Sequence, residues 1–212
     1  FEPILDEAYG LSDKHVTLKV HLDYISKLPV SSERCTFYKS QTGTGKSTMV
    51  RQFLKKFDPK RCLYVCSSKA LCYNVTKTLN KALSRFGSLK RFRTYTSTRN
   101  PLETFEWLVV TVQSLWRAFI QENEGYDVVV FDEVASCFED LTNTTCKHPS
   151  ACQDALVKVF ENKRTKKFIL ADAHVSDKEV NFVKSFLPCE VVVNTWSSPK
   201  HAILYPGIET KE

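Results

Sequence analysis

Apolar runs rich in β-branched residues recur along the chain at 35–39 (CTFYK), 61–66 (RCLYVC), 91–96 (RFRTYT), 107–112 (WLVVTV), 126–131 (YDVVVF), 167–171 (KFILA) and 189–195 (CEVVVNT). Most are continuous rather than alternating, as strands buried on both faces must be. Between them, 46–57, 69–86, 113–122, 151–161 and 176–187 carry apolar residues at helical spacing. Strand and helix in alternation predict an α/β three-layer sandwich around a mostly parallel central sheet. Leu18, Leu22, Ile25 and Leu28 share one helical face, which predicts a further helix over 18–28 within an N-terminal extension, 1–34. No repeat, low-complexity tract or Pro/Gly/Ser linker interrupts 30–195, so one domain is expected over 35–196. Ser197, Ser198 and Pro199 then open an expected inter-domain connection or tail, 197–212.

Composition narrows the picture. A chain of 212 residues, 42% hydrophobic, can bury one sizeable core but not two. It opens on Phe1 and ends on a polar tail after Pro206 and Gly207, from which we expect flanking domains beyond at least one end. The net charge of +6 tilts expectation towards a polyanionic partner without deciding it. No run approaches the roughly eighteen apolar residues of a membrane span. Residues 1–10 hold three acidic side chains and lack signal-peptide character, so a soluble, intracellular protein is expected. Several of the eight cysteines, among them Cys62, Cys66 and Cys189, sit in strand-like runs and read as reduced core thiols.

Chemistry enters directly after the first strand, where Ser40-Gln41-Thr42-Gly43-Thr44-Gly45-Lys46-Ser47-Thr48 runs into a helical pattern. Strand, glycine-rich turn, lysine and hydroxyl residue at a helix start make a phosphate loop. Backbone N–H groups turn inward around a β-phosphate, Lys46 reaches the β- and γ-phosphates, and the Ser47 hydroxyl ligates Mg²⁺. Ser40 stands where the general motif has its first glycine, a variant usual in helicase-like motors. The predicted sandwich is therefore of the P-loop NTPase (RecA-like) class, with ATP and Mg²⁺ as expected ligands. The strand 126–131 runs into Asp132-Glu133. Asp132 is the expected Mg²⁺ partner and Glu133 the group that polarises the attacking water, although Glu133 could instead cap the next helix.

Ligands of an open parallel sheet gather at the carboxyl ends of its strands. Those ends carry Ser67-Ser68-Lys69, Thr96-Ser97-Thr98-Arg99, Thr111-Val112-Gln113-Ser114 and Asp172-Ala173-His174. Singly, each hydroxyl could be a helix cap. On one edge together, Ser68, Lys69, Thr96, Arg99, Thr111, Gln113 and Ser114 suit a sequence-independent grip on a phosphodiester backbone. Lys90, Arg91 and Arg93, and the run Lys163, Arg164, Lys166 and Lys167, lie at the opposite edge and read as solvated.

With these motifs in place the chain resembles the first motor domain of superfamily 2 helicases. Within them it is most similar to the herpesvirus-type replication origin-binding proteins and their relatives in other large DNA viruses. The likeness covers about residues 35–195 and rests on SQTGTGKS (40–47), LYVCSSKALCYNV (63–75), WLVVTVQSLWR (107–117), YDVVVFDEVASCFEDL (126–141) and KFILADAHVSDKEVNFV (167–183). It implies ATP-driven remodelling or unwinding of single-stranded or forked DNA at sites of replication, in a host nucleus or viral factory, together with a second motor domain. It also implies that Asp172 and His174 couple hydrolysis to strand movement. Where relatives end this coupling motif in threonine or serine, the chain has His174, and Lys69 stands where arginine is common. No glutamine precedes residue 41 to read adenine, which leaves Tyr24 as a candidate for stacking on the base.

Three alternatives stay open from sequence: an RNA helicase or restriction-type translocase, an ATP-gated nucleic-acid-binding module, and, weakest, a small-molecule kinase. Cys137, Cys146, His148 and Cys152 fall close enough in sequence to form a tetrahedral zinc site. Their spacing contains no C-x-x-C knuckle and favours reduced structural thiols.

Overall fold

A computed structural model describes residues 10–97, 101–118, 125–142 and 146–197. Within these residues eight parallel strands form one sheet: β1 (Leu18–Val20), β2 (Cys35–Lys39), β3 (Cys62–Cys66), β4 (Arg93–Thr94), β5 (Trp107–Thr111), β6 (Val128–Asp132), β7 (Lys167–Asp172) and β8 (Glu190–Asn194). Their order is β1-β8-β2-β7-β6-β3-β5-β4. Helices α1 (Lys46–Phe57), α2 (Lys69–Arg85), α3 (Val134–Thr142), α4 (Pro149–Glu161) and α5 (Asp177–Lys184) form the outer layers.

The continuous apolar strands are what this arrangement needs, because alternate side chains feed two separate cores. Phe37, Leu63, Val65, Leu108, Val110, Phe131 and Leu170 pack under α3, α4 and α5. Tyr38, Cys62, Tyr64, Val109, Val130 and Ile169 pack under α1 and α2. Phe138, Phe160 and Phe182 make edge-on ring contacts that close the first core.

Some expectations fail. The stretch 18–28 is no helix: Leu18–Val20 add to the edge of β8, with Leu18 opposite Val192, and Ile25–Lys27 form a single 3₁₀ turn. The helical spacing did not mark a buried face, since Leu18 is 44% exposed and only Ile25 is fully buried. What fixes the segment is pairing to a sheet edge far along the chain, which periodicity cannot register. The strand expected over 91–96 shrinks to Arg93–Thr94. The helix expected over 113–122 is a 3₁₀ stretch, Val112–Ala118, with 119–122 outside the described residues.

The opposite-edge cations are less solvated than expected. Lys90 donates to Asp58 Oδ1 at 2.6 Å and to the Pro59 carbonyl at 2.9 Å, closing the end of α1, where Asp58 turns left-handed. Lys167 is only 3% exposed and donates to the carbonyls of Ser31 and Glu33 and to Thr36 Oγ1. Burial pushes its ammonium down to about 8. Lys166 stays exposed and pairs with Asp127 at 3.0 Å.

Candidate functional site

Strand register builds the site. Cys66 lies opposite Asp132, Asp132 opposite Ala171, and Ala171 opposite Tyr38. One residue further on, Ser67, Glu133, Asp172 and Lys39 therefore stand in a row at the carboxyl ends of β3, β6, β7 and β2. The loop 40–45 arches over that row before α1 begins.

The loop is held from below by side chains. Ser40 Oγ lies 2.6 Å from Thr44 Oγ1 and accepts a bond from Asn194 Nδ2 at 3.1 Å, while the Thr44 hydroxyl donates to the Gln41 carbonyl. Ser40, in place of glycine, thus ties the loop to β8. Gly43 and Gly45 adopt φ of +84° and +85°, which L side chains rarely reach. Gly45 is also closely covered: a Cβ there would meet Ser26 Oγ at 3.2 Å and the Tyr24 ring at 3.4 Å. The Ile25 N–H donates to the Thr44 carbonyl at 2.8 Å, so the N-terminal segment seats Tyr24, 52% exposed, beside the loop.

Lys46 folds back to donate to the carbonyls of Ser40 and Gln41, at 2.6 and 2.9 Å. Burial lowers its ammonium pKa, and the carboxylates of Asp132, Asp172 and Glu133 oppose that shift. Asp132 is held by Tyr64, whose hydroxyl donates to Oδ2 at 2.9 Å. Burial pushes the Asp132 carboxyl up; the Tyr64 bond pulls it down, Glu133 raises it and Lys46 lowers it. Glu133 has φ +57°, a left-handed conformation that costs a non-glycine residue roughly 1 kcal/mol or more. Its Oε2 accepts a bond from Ser67 Oγ at 2.7 Å. Asp172, 4% exposed, accepts from the Ala135 N–H on one oxygen (2.8 Å) and from the His174 N–H on the other (2.9 Å). It therefore joins the start of α3 to the turn after β7.

These residues enclose a cleft of about 520 Å³ lined by Thr42, Gly43, Lys46, Ser47, Asp132, Glu133, Asp172 and His174, among others. Glycines without Cβ, a lysine and a hydroxyl facing a buried carboxylate fit a polyphosphate with a hard divalent cation. A larger cleft of about 560 Å³, between 26–32 and α1, shares none of these carboxylates.

The expected nucleic-acid residues divide. Ser68 caps α2 by accepting from the Leu71 N–H at 3.2 Å, and Lys69 is exposed beside it. Thr96 is exposed and Gln113 and Ser114 are half-buried, all at strand ends of the same edge. Thr111, the last residue of β5, is only 6% exposed, so little of it is open to a phosphate. Arg99 lies outside the described residues. Among the described residues no three His, Cys, Asp or Glu converge on a metal position. Cys137 points at the Asp132 carbonyl (3.5 Å), Cys146 and Cys152 lie 3.8 Å apart, and the His148 ring packs on Trp116. Tyr64 and Ser67 were not assigned roles from sequence, because nothing along the chain says that β3 borders β6.

An all-parallel sheet with a glycine-rich loop between its second strand and first helix is the RecA-like domain found in helicase motors. A hypothetical ATP-dependent RNA helicase from Sulfolobus tokodaii superposes with a TM-score of 0.58 at 16% identity, over 76% of this chain and 48% of that one. The profile of the family described as origin of replication binding protein matches residues 13–203, and the chain belongs to that family. It is 28% identical over 203 residues to the replication origin-binding protein of equine herpesvirus 1, covering 88% of this chain and 22% of that protein. The varicella-zoster virus protein of the same name is 27% identical over 175 residues, covering 79% and 20%. The chain thus spans about a fifth of the length of these relatives. Among the described residues no helix is long and apolar enough to cross a membrane.

Proposed function

We propose that the domain is the ATP-binding half of a DNA helicase or translocase motor acting in viral DNA replication. The observation that carries this is the row of strand ends, which sets Lys46 and Ser47 across one cleft from Asp132 and Glu133 while Asp172 links that cleft to the next turn. Membership of an origin-binding family favours DNA over RNA as the strand that is moved.

In this reading 35–196 is the motor domain and 197–212 begins the connection to a second one. ATP lies along the loop, with backbone N–H groups of 41–48 and the Lys46 ammonium on its phosphates and Tyr24 beside the base. Ser47 and Asp132 would hold Mg²⁺, which when bound neutralises phosphate charge and steadies the leaving oxygens. Tyr64 keeps the Asp132 carboxylate turned into the cleft. Glu133 accepts a proton from the water that attacks the γ-phosphate in line. Asp172, bonded on both sides, transmits the position of α3 to His174. Ser68, Lys69, Thr96, Arg99, Gln113 and Ser114 grip a single strand. The test is ATP turnover by the full-length protein with and without single-stranded DNA: stimulation supports the motor, and indifference to any nucleic acid refutes it.

Two further outcomes are expected. Lys46→Ala abolishes ATP binding in an equilibrium titration, since it removes the cation facing two phosphates; unchanged affinity means the loop is not the site. Lys69→Ala weakens single-strand binding several-fold and lowers its salt dependence, whereas Lys90→Ala and Lys166→Ala, whose charges are already paired with Asp58 and Asp127, change it little. The reverse ranking in a salt-series titration would put nucleic acid on the other edge.

A further inference from the structure

The proposed base is held by a residue that the motor chemistry has not used. Glu133 lies between two pinned residues: Asp132 before it is fixed by the Tyr64 hydroxyl, and Ala135, two residues on, by the Asp172 carboxylate. With the main chain so held, in a left-handed conformation, what stays adjustable is the direction of the Glu133 side chain. That direction is set by Ser67, whose hydroxyl donates to Oε2 at 2.7 Å. The bond turns the carboxylate towards the end of β3 and occupies one of its acceptor sites.

Ser67 is also joined directly to the edge assigned to the strand. The next residue, Ser68, caps α2, and Lys69 is its exposed first residue. A phosphodiester drawn onto Ser68 and Lys69 pulls on the same short stretch of main chain that aims the Ser67 hydroxyl. We propose that Ser67 is a positioning residue that latches Glu133 away from water when no strand is bound, and that engagement of DNA at Ser68 and Lys69 releases it. The release half rests on the motor function proposed above; the latch half rests only on Glu133 as the base. The hydroxyl–carboxylate bond is the two-state element and the strand biases it; turnover without DNA and DNA affinity both scale with the unlatched fraction, so the two effects must match.

The test compares wild type, Ser67→Ala and Ser67→Thr in the full-length protein. Without DNA, Ser67→Ala should hydrolyse ATP about tenfold faster, the scale of a lost charge-assisted hydrogen bond. Its DNA-saturated rate and ATP affinity should match wild type, so its stimulation by DNA shrinks by the same factor. Ser67→Thr, which keeps the hydroxyl, should behave as wild type. A DNA-free rate at or below wild type in Ser67→Ala, or an equal rise in Ser67→Thr, overturns the latch. If Ser67→Ala is faster while DNA stimulates neither protein, the latch stands and both the release step and the motor fall. A second measurement needs no turnover: single-strand affinity without nucleotide should rise about tenfold in Ser67→Ala and in Glu133→Ala, and no further in the double variant. Unchanged affinity in both single variants overturns release by the strand.

Discussion

Replacing Glu133 with glutamine is expected to leave ATP affinity within about twofold and to lower turnover by a factor on the order of a hundred or more. The amide is isosteric, so the bond from Ser67 and the packing at the start of α3 survive. What it cannot do is accept a proton from the attacking water. Affinity by titration and turnover by phosphate release, measured on the same full-length preparation, separate the two effects. Normal turnover would mean that another carboxylate is the base. Asp132→Asn should differ by weakening the dependence on Mg²⁺ as well, since Asp132 is half-buried across the cleft from Lys46 and held by Tyr64 as a ligand rather than as a base.

The second large effect concerns what the cleft lacks. Its cations are Lys46 and, when protonated, His174; no arginine is among the described residues that line it. An arginine placed on the transferring phosphoryl group is worth on the order of a thousandfold in rate. In the function proposed above that arginine comes from a second motor domain. The 212-residue chain by itself should therefore bind ATP or ADP measurably, hydrolyse ATP about a thousandfold more slowly than the full-length protein, and show little stimulation by DNA. Steady-state turnover of the two proteins at saturating ATP checks this. Robust, DNA-stimulated turnover by the chain as a monomer would make a self-contained P-loop enzyme the better account.

Local order was legible in the amino-acid sequence wherever chemistry and periodicity agree over a few residues. The loop from Ser40 to Ser47 needs a strand before it and a helix after it, and both stand where hydrophobic pattern put them. Asp132 and Glu133 close a strand whose four preceding residues are fully apolar, so their position at a strand end was also written in the chain. The family likeness rests on those same strings.

Adjacency was another matter, because strand order is fixed by packing between segments far apart in sequence. Nothing in residues 62–66 says that they pair with 128–132 on one side and 107–111 on the other, yet that pairing sets Ser67 against Glu133 and Tyr64 against Asp132. Nor does the pattern of 18–28 reveal that Leu18–Val20 join the free edge of β8 and leave Ile25 to carry the phosphate loop on its main chain. Thr111 and Lys167 show the converse. Both read as surface residues by type, and both are buried, the first as the last residue of a covered strand and the second because carbonyls and a hydroxyl replace its water. The sequence by itself determined which residues could do phosphate chemistry and the alternation that makes a parallel sheet. Only the tertiary structure decided which of them meet, since side-chain identity sets local preference while contact across the sheet is paid for by the whole core.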